Sequence, residues 1–185
     1  KTMQRKLEIL VREIQEKNEV LNFISESDAL TGCMNRRGFI EKTLQMNRDH
    51  EGEELLILFA DLDHLKEIND SFGHIEGDFS IRHCAEVLKK VVGADGIVGR
   101  IGGDEFCVVT LGNLKDGQQI IERIREESDA FNCTSDKEYY VELSAGCTSV
   151  ICRNGLVIAD ALREADRALY EVKKLRRNSV KKIRL

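Results

Sequence analysis

A continuous apolar run, residues 55–60 (Leu-Leu-Ile-Leu-Phe-Ala), constrains the fold more than any other segment of this chain. Six residues are too few for a buried helix but suit a strand whose two faces are both covered. The run ends at Asp61-Leu62-Asp63, so carboxylates follow directly after a central strand. A sheet covered on both faces needs helices in two layers, and the rest of the sequence supplies them.

The periodicity of the remaining chain predicts a mixed sheet with helices packed against it, an α+β fold. We expect helices at 35–50, 75–92, 116–131 and 156–176, and strands at 96–101, 105–111, 139–150 and 180–185. Asp116 is the predicted N-cap of the third of these helices. Gly102-Gly103 lies between two predicted strands and permits a tight turn, because glycine reaches positive φ at no steric cost.

Residues 1–27 are predicted to form one helix, ending near Ser27 or Asp28. Apolar residues recur there in alternating steps of three and four, which is a coiled-coil seam interrupted by Lys17. We prefer a parallel dimer to the alternative, a helix packed on its own domain. The predicted organisation is therefore a coiled-coil signalling and dimerisation helix, residues 1–27, followed by one domain, residues 28–185.

Two acidic segments are candidates for a metal site. Asp61 and Asp63 share one side of their strand while Leu62 points away, and carboxylates at a strand end suit Mg²⁺. Asp104 and Glu105 follow the glycine pair, whose backbone amides could approach a phosphate. The alternatives are a capping acid after the strand and a hairpin turn with solvated acids.

Other segments carry groups suited to a purine nucleotide. Asn69 and Asp78 could read a guanine edge, because an amide both donates and accepts while a carboxylate accepts from adjacent N–H groups. Lys173 and Arg177 lie four residues apart on one helix face and could bind phosphates. Helix capping and a solvated basic face are the respective alternatives. Together these groups describe a site for a purine nucleoside triphosphate, without a P-loop motif.

Composition narrows the partner class. The net charge of −5 and pI near 5.5 disfavour a nucleic-acid binder. No apolar stretch is long enough to cross a membrane in this fragment, and the N-terminus lacks a secretory signal. The six cysteines include no C-x-x-C pair and are expected to be mostly buried and reduced, as in a cytoplasmic protein. A chain that starts at Lys1 and contains no proline is expected to be a piece of a longer protein.

The motifs resemble those of the GGDEF-domain family, the diguanylate cyclases, in order from about residue 28 to 180. The matching segments are 28–32 (Asp-Ala-Leu-Thr-Gly), 35–39 (Asn-Arg-Arg-Gly-Phe), 61–70 (Asp-Leu-Asp-His-Leu-Lys-Glu-Ile-Asn-Asp), Gly73-His74, Gly77-Asp78, 100–106 (Arg-Ile-Gly-Gly-Asp-Glu-Phe), Ser144-Ala145-Gly146 and 165–170 (Ala-Asp-Arg-Ala-Leu-Tyr) with Lys173 and Arg177-Asn178. The resemblance implies a palm-like mixed β-sheet flanked by helices, as in nucleotidyl cyclases. It also implies Mg²⁺- or Mn²⁺-dependent condensation of two GTP molecules into cyclic di-GMP across a homodimer, with release of two pyrophosphates.

The resemblance also implies a role for each matching residue. Metal binding falls to Asp61, the backbone carbonyl of Leu62, Asp104 and Glu105. Asp104 would also assist deprotonation of the 3′-hydroxyl. Guanine recognition falls to Asn69 and Asp78, and phosphate binding to Lys66, Lys173 and Arg177. Gly102 and Gly103 would leave room for the α-phosphate and ribose.

One departure concerns regulation. Many family members carry an inhibitory product site, Arg-x-x-Asp, ahead of the signature, but here residues 93–96 read Gly-Ala-Asp-Gly. We therefore expect no inhibitory product site at this position. The expected setting is the cytoplasm, as part of a larger or membrane-bound sensor protein, with an upstream sensor domain outside this chain and a homodimer formed through the N-terminal helix. The alternative function is a non-catalytic GTP-binding module that regulates or dimerises.

Overall fold

The structure is a computed structural model that describes residues 25–183 together with Val11, Arg12 and Lys17, and side chains as far as Leu175. Within these residues the elements follow in the order β1 (Met34–Asn35), α1 (Arg36–Asp49), β2 (Glu54–Leu62), α2 (Leu65–Phe72), α3 (His74–Val92), β3 (Ile97–Arg100), β4 (Glu105–Leu111), α4 (Leu114–Thr134), β5 (Leu143–Ile151) and α5 (Ile158–Ile183).

The described strands form one sheet in the order β1-β3-β4-β2-β5. Strand β2 lies between β4 and β5 and is antiparallel to both, whereas β1 pairs with β3 in parallel. This is the mixed, helix-flanked, palm-like sheet that the sequence predicts, with the apolar run in an interior strand.

Alternate residues of β2 enter two different cores, which explains why its whole length is apolar. Leu56 and Leu58 pack in the core formed with α3 and α4. Leu55 and Ile57 pack on the opposite face, with side chains of α1 and α5. All four are fully buried, and each contributes about 1.5–3 kcal/mol by leaving water. The sheet thereby lies between two helical layers, and the acidic residues follow at the C-terminal end of its interior strand β2.

The predicted helices at 35–50 and 75–92 are confirmed as α1 and α3, and the predicted strands at 55–60, 96–101 and 105–111 as β2, β3 and β4. The structure adds the short elements β1 and α2, which were not predicted. Four of the six cysteines are buried and none is disulfide-bonded, but Cys133 is exposed.

Three local predictions were wrong. The N-cap of α4 is Asn113, and Asp116 completes a capping box by accepting from the Asn113 backbone N–H. Strand β5 begins at Leu143, because the backbone of Val141 is already paired with the side chain of Asn132. Residues 180–183 continue α5 and do not form the strand predicted at 180–185.

The N-terminal coiled coil predicted for residues 1–27 falls largely outside the described residues. Helical backbone is described at Val11, Arg12, Lys17, Ser25 and Glu26, and Ser27 forms a β-bridge with Met34. The dimeric seam and the domain boundary at residue 28 therefore stay predictions. In the part of the chain that the structure covers, every helix is too short or too polar to span a bilayer.

Candidate active site

The C-terminal end of β2 brings three acidic residues to one place on the sheet. Asp61 stands directly opposite Glu105 of β4 in the strand register. The backbone N–H of Leu62 donates to the carbonyl of Asp104 at 3.0 Å, which holds the acidic turn against the end of β2. Leu62 itself is buried, so the alternation predicted for Asp61 and Leu62 is present.

The electrostatics of this edge favour a bound cation. Burial raises the pKa of Asp61, and the charges of Asp104 and Asp63 raise it further, although Lys173 opposes them. Burial also raises the pKa of Glu105, together with the charges of Asp104 and Asp61. Carboxylates that disfavour one another's ionisation are relieved by a positive charge placed among them.

Lys173 of α5 supplies one such charge from 112 residues away. Its ammonium group donates to Asp61 Oδ1 and lies 3.7 Å from Asp63 Oδ1. Asp63 also accepts from the Ser144 hydroxyl at 2.7 Å. Sequence reasoning assigned Lys173 to phosphates, whereas here it pairs with the β2 aspartates. The side chain of Arg177 lies beyond the described side chains.

Gly146 allows α5 to come this close to the sheet. A Cβ on Gly146 would lie 2.1 Å from the backbone nitrogen of Leu169, so only glycine fits at this crossing. The position of Lys173, one turn further along α5, thus depends on a glycine in β5.

The glycine pair does not adopt an unusual backbone conformation. Neither Gly102 nor Gly103 has a positive φ, so the expected reason for these glycines was wrong. A Cβ on Gly102 would lie 2.5 Å from Glu105 Oε2, whereas a Cβ on Gly103 would meet nothing within 4 Å. The turn therefore has an open side at Gly103, next to the acids.

Arg100 fixes this turn, a role that sequence reasoning did not assign. Its guanidinium donates to the Gly103 carbonyl at 2.7 Å and 3.2 Å, and to both carboxylate oxygens of Asp28 at 3.2 Å and 3.3 Å. Burial would raise the pKa of Asp28, but hydrogen bonds from Thr31 and Arg100 outweigh it and hold that pKa below its usual value. The available signal was an arginine two residues before the glycine pair.

Asn69 and Asp78 lie on two helices joined by a single glycine, Gly73, with φ of 88°. A Cβ on Gly77 would lie 2.0 Å from Asn69 Oδ1, so the Asn69 side chain packs directly against the residue preceding Asp78. Asp78 is exposed, as is Lys66 in the first turn of α2. The structure thus brings the two predicted base-binding residues to one helix–helix junction.

The oxygen donors at the end of β2 are of the type that magnesium prefers. Asp61, Asp104, Glu105 and the Leu62 carbonyl offer only hard oxygen atoms, and the carboxylates repel one another. Among the described residues, no three His, Cys, Asp or Glu side chains are already arranged to hold a metal ion. Before a metal ion could bind Asp61 Oδ1, Lys173 would have to give up its hydrogen bond to that oxygen.

Comparison with known proteins decides the family. The family described as "Diguanylate cyclase, GGDEF domain" matches residues 25–179. The chain belongs to the GGDEF family.

Individual relatives agree with this assignment of the GGDEF domain. The chain is 38% identical over 172 residues to diguanylate cyclase DgcP of Escherichia coli, covering 90% of this chain and 50% of that protein. It is 30% identical over 173 residues to the cyclic di-GMP phosphodiesterase NbdA of Pseudomonas aeruginosa, covering 92% of this chain and 22% of that protein. The GGDEF domain thus spans half or less of the length of these curated relatives.

A solved structure supports the fold. The coiled coil and GGDEF domain of DgcB from Caulobacter crescentus, in complex with c-di-GMP, superposes with a TM-score of 0.79 at 24% identity. The match covers 94% of this chain and 95% of that one. At this identity, the likeness supports the GGDEF fold alone.

Proposed function

We propose that this GGDEF domain is a diguanylate cyclase, condensing two GTP molecules into cyclic di-GMP with release of two pyrophosphates. The observation that carries the proposal is the set of acids at the end of β2, Asp61, Asp104 and Glu105, beside a turn that is open at Gly103. Membership of the GGDEF family supports this reaction, and the intact acids argue against a non-catalytic GTP-binding module.

In this proposal each residue group has a separate task. Asn69 and Asp78 recognise the guanine edge, while Lys66, Lys173 and Arg177 neutralise the β- and γ-phosphates. Asp104 accepts the proton of the 3′-hydroxyl, and the oxygen then attacks the α-phosphorus of the other GTP while pyrophosphate leaves. Gly102 and Gly103 leave room for the α-phosphate and ribose.

Asp61, the Leu62 carbonyl, Asp104 and Glu105 would hold Mg²⁺ (or Mn²⁺), which supplies charge neutralisation and Lewis-acid activation at the phosphates. Lys173 would then exchange its contact with Asp61 for substrate phosphate. This exchange accounts for a lysine that pairs with aspartates here yet is assigned to phosphate by the family motif.

A homodimer completes the proposed site, because each subunit holds one GTP and the two must face each other. The N-terminal helix would set the geometry of the dimer and pass on a signal from an upstream sensor domain. The cytoplasm, where GTP is available, is the proposed location.

The test is product formation from GTP and Mg²⁺, followed by mass spectrometry. We expect cyclic di-GMP from the wild-type chain and a loss of at least about 100-fold in Asp104→Asn, since the group removed acts at the reacting hydroxyl. Asp95→Asn is the control, because Asp95 is an acid in the loop at the other end of β3, outside the site; it is exposed, whereas Asp104 is half-buried. GTP binding without product from the wild type, at every protein concentration, would favour the non-catalytic module instead.

A further inference from the structure

The loop of residues 135–142, between α4 and β5, contacts the helix pair that carries Asn69 and Asp78. Lys137 Nζ lies 2.6 Å from Glu76 Oε2 in the first turn of α3. The Tyr139 hydroxyl donates to the same oxygen at 2.5 Å. Glu76 is therefore held by two donors from a segment more than 60 residues away in sequence.

The same loop makes aromatic contacts on both sides of the glycine that joins the helices. The ring of Tyr139 lies 5.0 Å from that of Phe72, the last residue of α2. The ammonium of Lys137 lies 4.3 Å from the centre of the Phe79 ring in α3, within range of a cation–π interaction. The 135–142 loop thus contacts the end of α2 and the beginning of α3 together.

The charge states strengthen these contacts at neutral pH. Hydrogen bonds from Lys137 and Tyr139 lower the pKa of Glu76, so it stays a carboxylate. Burial, with the adjacent Glu76, raises the pKa of Tyr139 to about 12, so it keeps its proton to donate. Both hydrogen bonds are therefore charge-assisted, the stronger kind.

Glu76 lies in the chain directly before the residues that contact Asn69 and carry Asp78. Gly77, which follows it, touches the Asn69 side chain, and Asp78 comes next. Gly73 alone joins α2 to α3 and contributes no side chain, so the packing of Asn69 on Gly77 and the contacts from the 135–142 loop hold the two helices together. A turn of α3 that moved by even about 1 Å would change the spacing between Asn69 and Asp78.

The other end of the loop is fixed to the acidic edge of the sheet. The backbone N–H of Asp63 donates to the Glu142 carbonyl at 2.9 Å, just before β5 begins. The 135–142 loop therefore connects the end of β2, with its proposed metal ligands, to the helices that carry Asn69 and Asp78.

We propose that Glu76, held by Lys137 and Tyr139, is a positioning residue for guanine recognition: it fixes the α2–α3 junction so that Asn69 and Asp78 meet the base together. This inference rests on the proposed function, because it takes GTP as the ligand. Glu76 does not touch the substrate; it acts through Gly77 and Asp78.

The test uses the double variant Lys137→Met/Tyr139→Phe, which removes both donors and leaves Glu76 and the base-binding residues unchanged. Affinity is measured for two non-reactive ligands, the α,β-methylene analogues of GTP and of inosine triphosphate. Inosine lacks the 2-amino group, so the ratio of the two affinities reports on guanine recognition. Because the bond cleaved in the reaction is replaced, binding is read without turnover.

We expect the guanosine analogue to bind the double variant about five- to tenfold more weakly than it binds the wild type, which corresponds to the loss of roughly one charge-assisted contact. The affinity for the inosine analogue should change by less than about twofold. With GTP as substrate, KM should rise by a similar factor and kcat should stay within about twofold. The single variant Lys137→Arg should keep the wild-type preference for the guanosine analogue, because it keeps the cation beside Glu76.

Lys90→Met is the matched control. Lys90 also links α3 to another helix, α4, through an ion pair with Glu127 at 2.5 Å, but at the far end of α3. The Lys90→Met variant should leave the ratio of the affinities for the guanosine and inosine analogues unchanged. If the double variant does not fold, Glu76→Gln, which keeps an acceptor for Tyr139 but loses the charge, should show a smaller change in the same direction.

Two outcomes would overturn the inference. A double variant that keeps the wild-type preference for guanosine would show that the loop does not position these residues. Equal weakening of both analogues would show a general effect on the fold. A wild-type chain with no preference for the guanosine analogue would instead contradict the proposed function itself, and this is measured first.

Discussion

At the scale of single residues, burial and neighbouring carboxylates raise the pKa of Asp61 and of Glu105, two acids that the proposed chemistry needs in their charged form. Strand alternation alone predicted that Asp61 and Asp63 share a side, and both contact Lys173. The contact with Lys173 could not be predicted, because no local pattern relates residues 112 positions apart.

Glu105→Gln should stabilise the domain while abolishing its activity. The pKa of Glu105 is raised in the folded state. At pH 7, well above the pKa of a glutamate in the unfolded chain, ionised Glu105 therefore lowers the free energy of unfolding. Removing the charge should raise the Tm without metal or nucleotide by about 1–3 °C. The gain should disappear as the pH falls through the raised pKa, since the wild-type residue is then also neutral.

The measurement is thermal unfolding at several pH values, with Glu126→Gln as the control. Glu126 is exposed on α4 and is not among the charges that raise the pKa of Glu105, so its replacement should change the Tm little. A Glu105→Gln protein less stable than the wild type at pH 7 would contradict the electrostatic account of this edge.

At the scale of elements, the contact between α5 and β5 determines where Lys173 lies. Gly146→Ala would place a methyl carbon 2.1 Å from the backbone of Leu169, which no rotamer change can relieve. We expect a loss of about 1–3 kcal/mol or more, hence a Tm lower by about 2–10 °C, and reduced activity as α5 moves away.

Gly103→Ala is compared with Gly146→Ala to separate effects on activity from effects on stability. Its methyl group would meet nothing within 4 Å, so stability should be unchanged while activity falls if substrate occupies the open side of the turn. Denaturation midpoints and cyclase rates measured on both variants separate the two effects. Equal loss of stability in both would contradict the packing argument.

The elements themselves were largely predictable, because their apolar periodicity reflects which faces are buried. The failures have local causes. Asn113 and Asp116 are both typical N-terminal capping residues, and only the three-dimensional capping box shows that Asn113 is the N-cap. Tyr139 reads as a strand residue because it is aromatic, yet it faces Glu76 and Phe72 instead of pairing with β2.

The turn between α3 and β3, residues 93–96, lacks the Arg-x-x-Asp pattern, so we predict that cyclic di-GMP does not inhibit the enzyme by binding there. Gly93 ends α3 with φ of 78°, and its N–H donates to the Lys89 carbonyl, so the segment serves as a helix terminus. Initial rates with increasing added cyclic di-GMP should stay constant until the product competes with GTP. Non-competitive inhibition that a substitution at Ala94 or Asp95 abolishes would contradict this.

At the scale of the whole molecule, the proposed cyclase site requires two copies of the chain. The seam of residues 1–27, predicted from sequence spacing, would hold them together. Leu10→Asn or Ile14→Asn should weaken dimerisation and activity in parallel, because each removes an apolar seam residue. Sedimentation and rate measurements on the same samples test this, and full activity in a demonstrated monomer would contradict it.

The most direct test of the central claim is the rate of cyclic di-GMP formation from GTP and Mg²⁺ over a wide range of protein concentration. A site shared between two subunits predicts that the rate rises more steeply than linearly at low concentration. It should become linear once the dimer is saturated, and it should vanish in Asp104→Ala. A rate proportional to protein concentration throughout, in samples that sediment as monomers, would contradict the account, and so would saturating GTP binding with no product at any concentration.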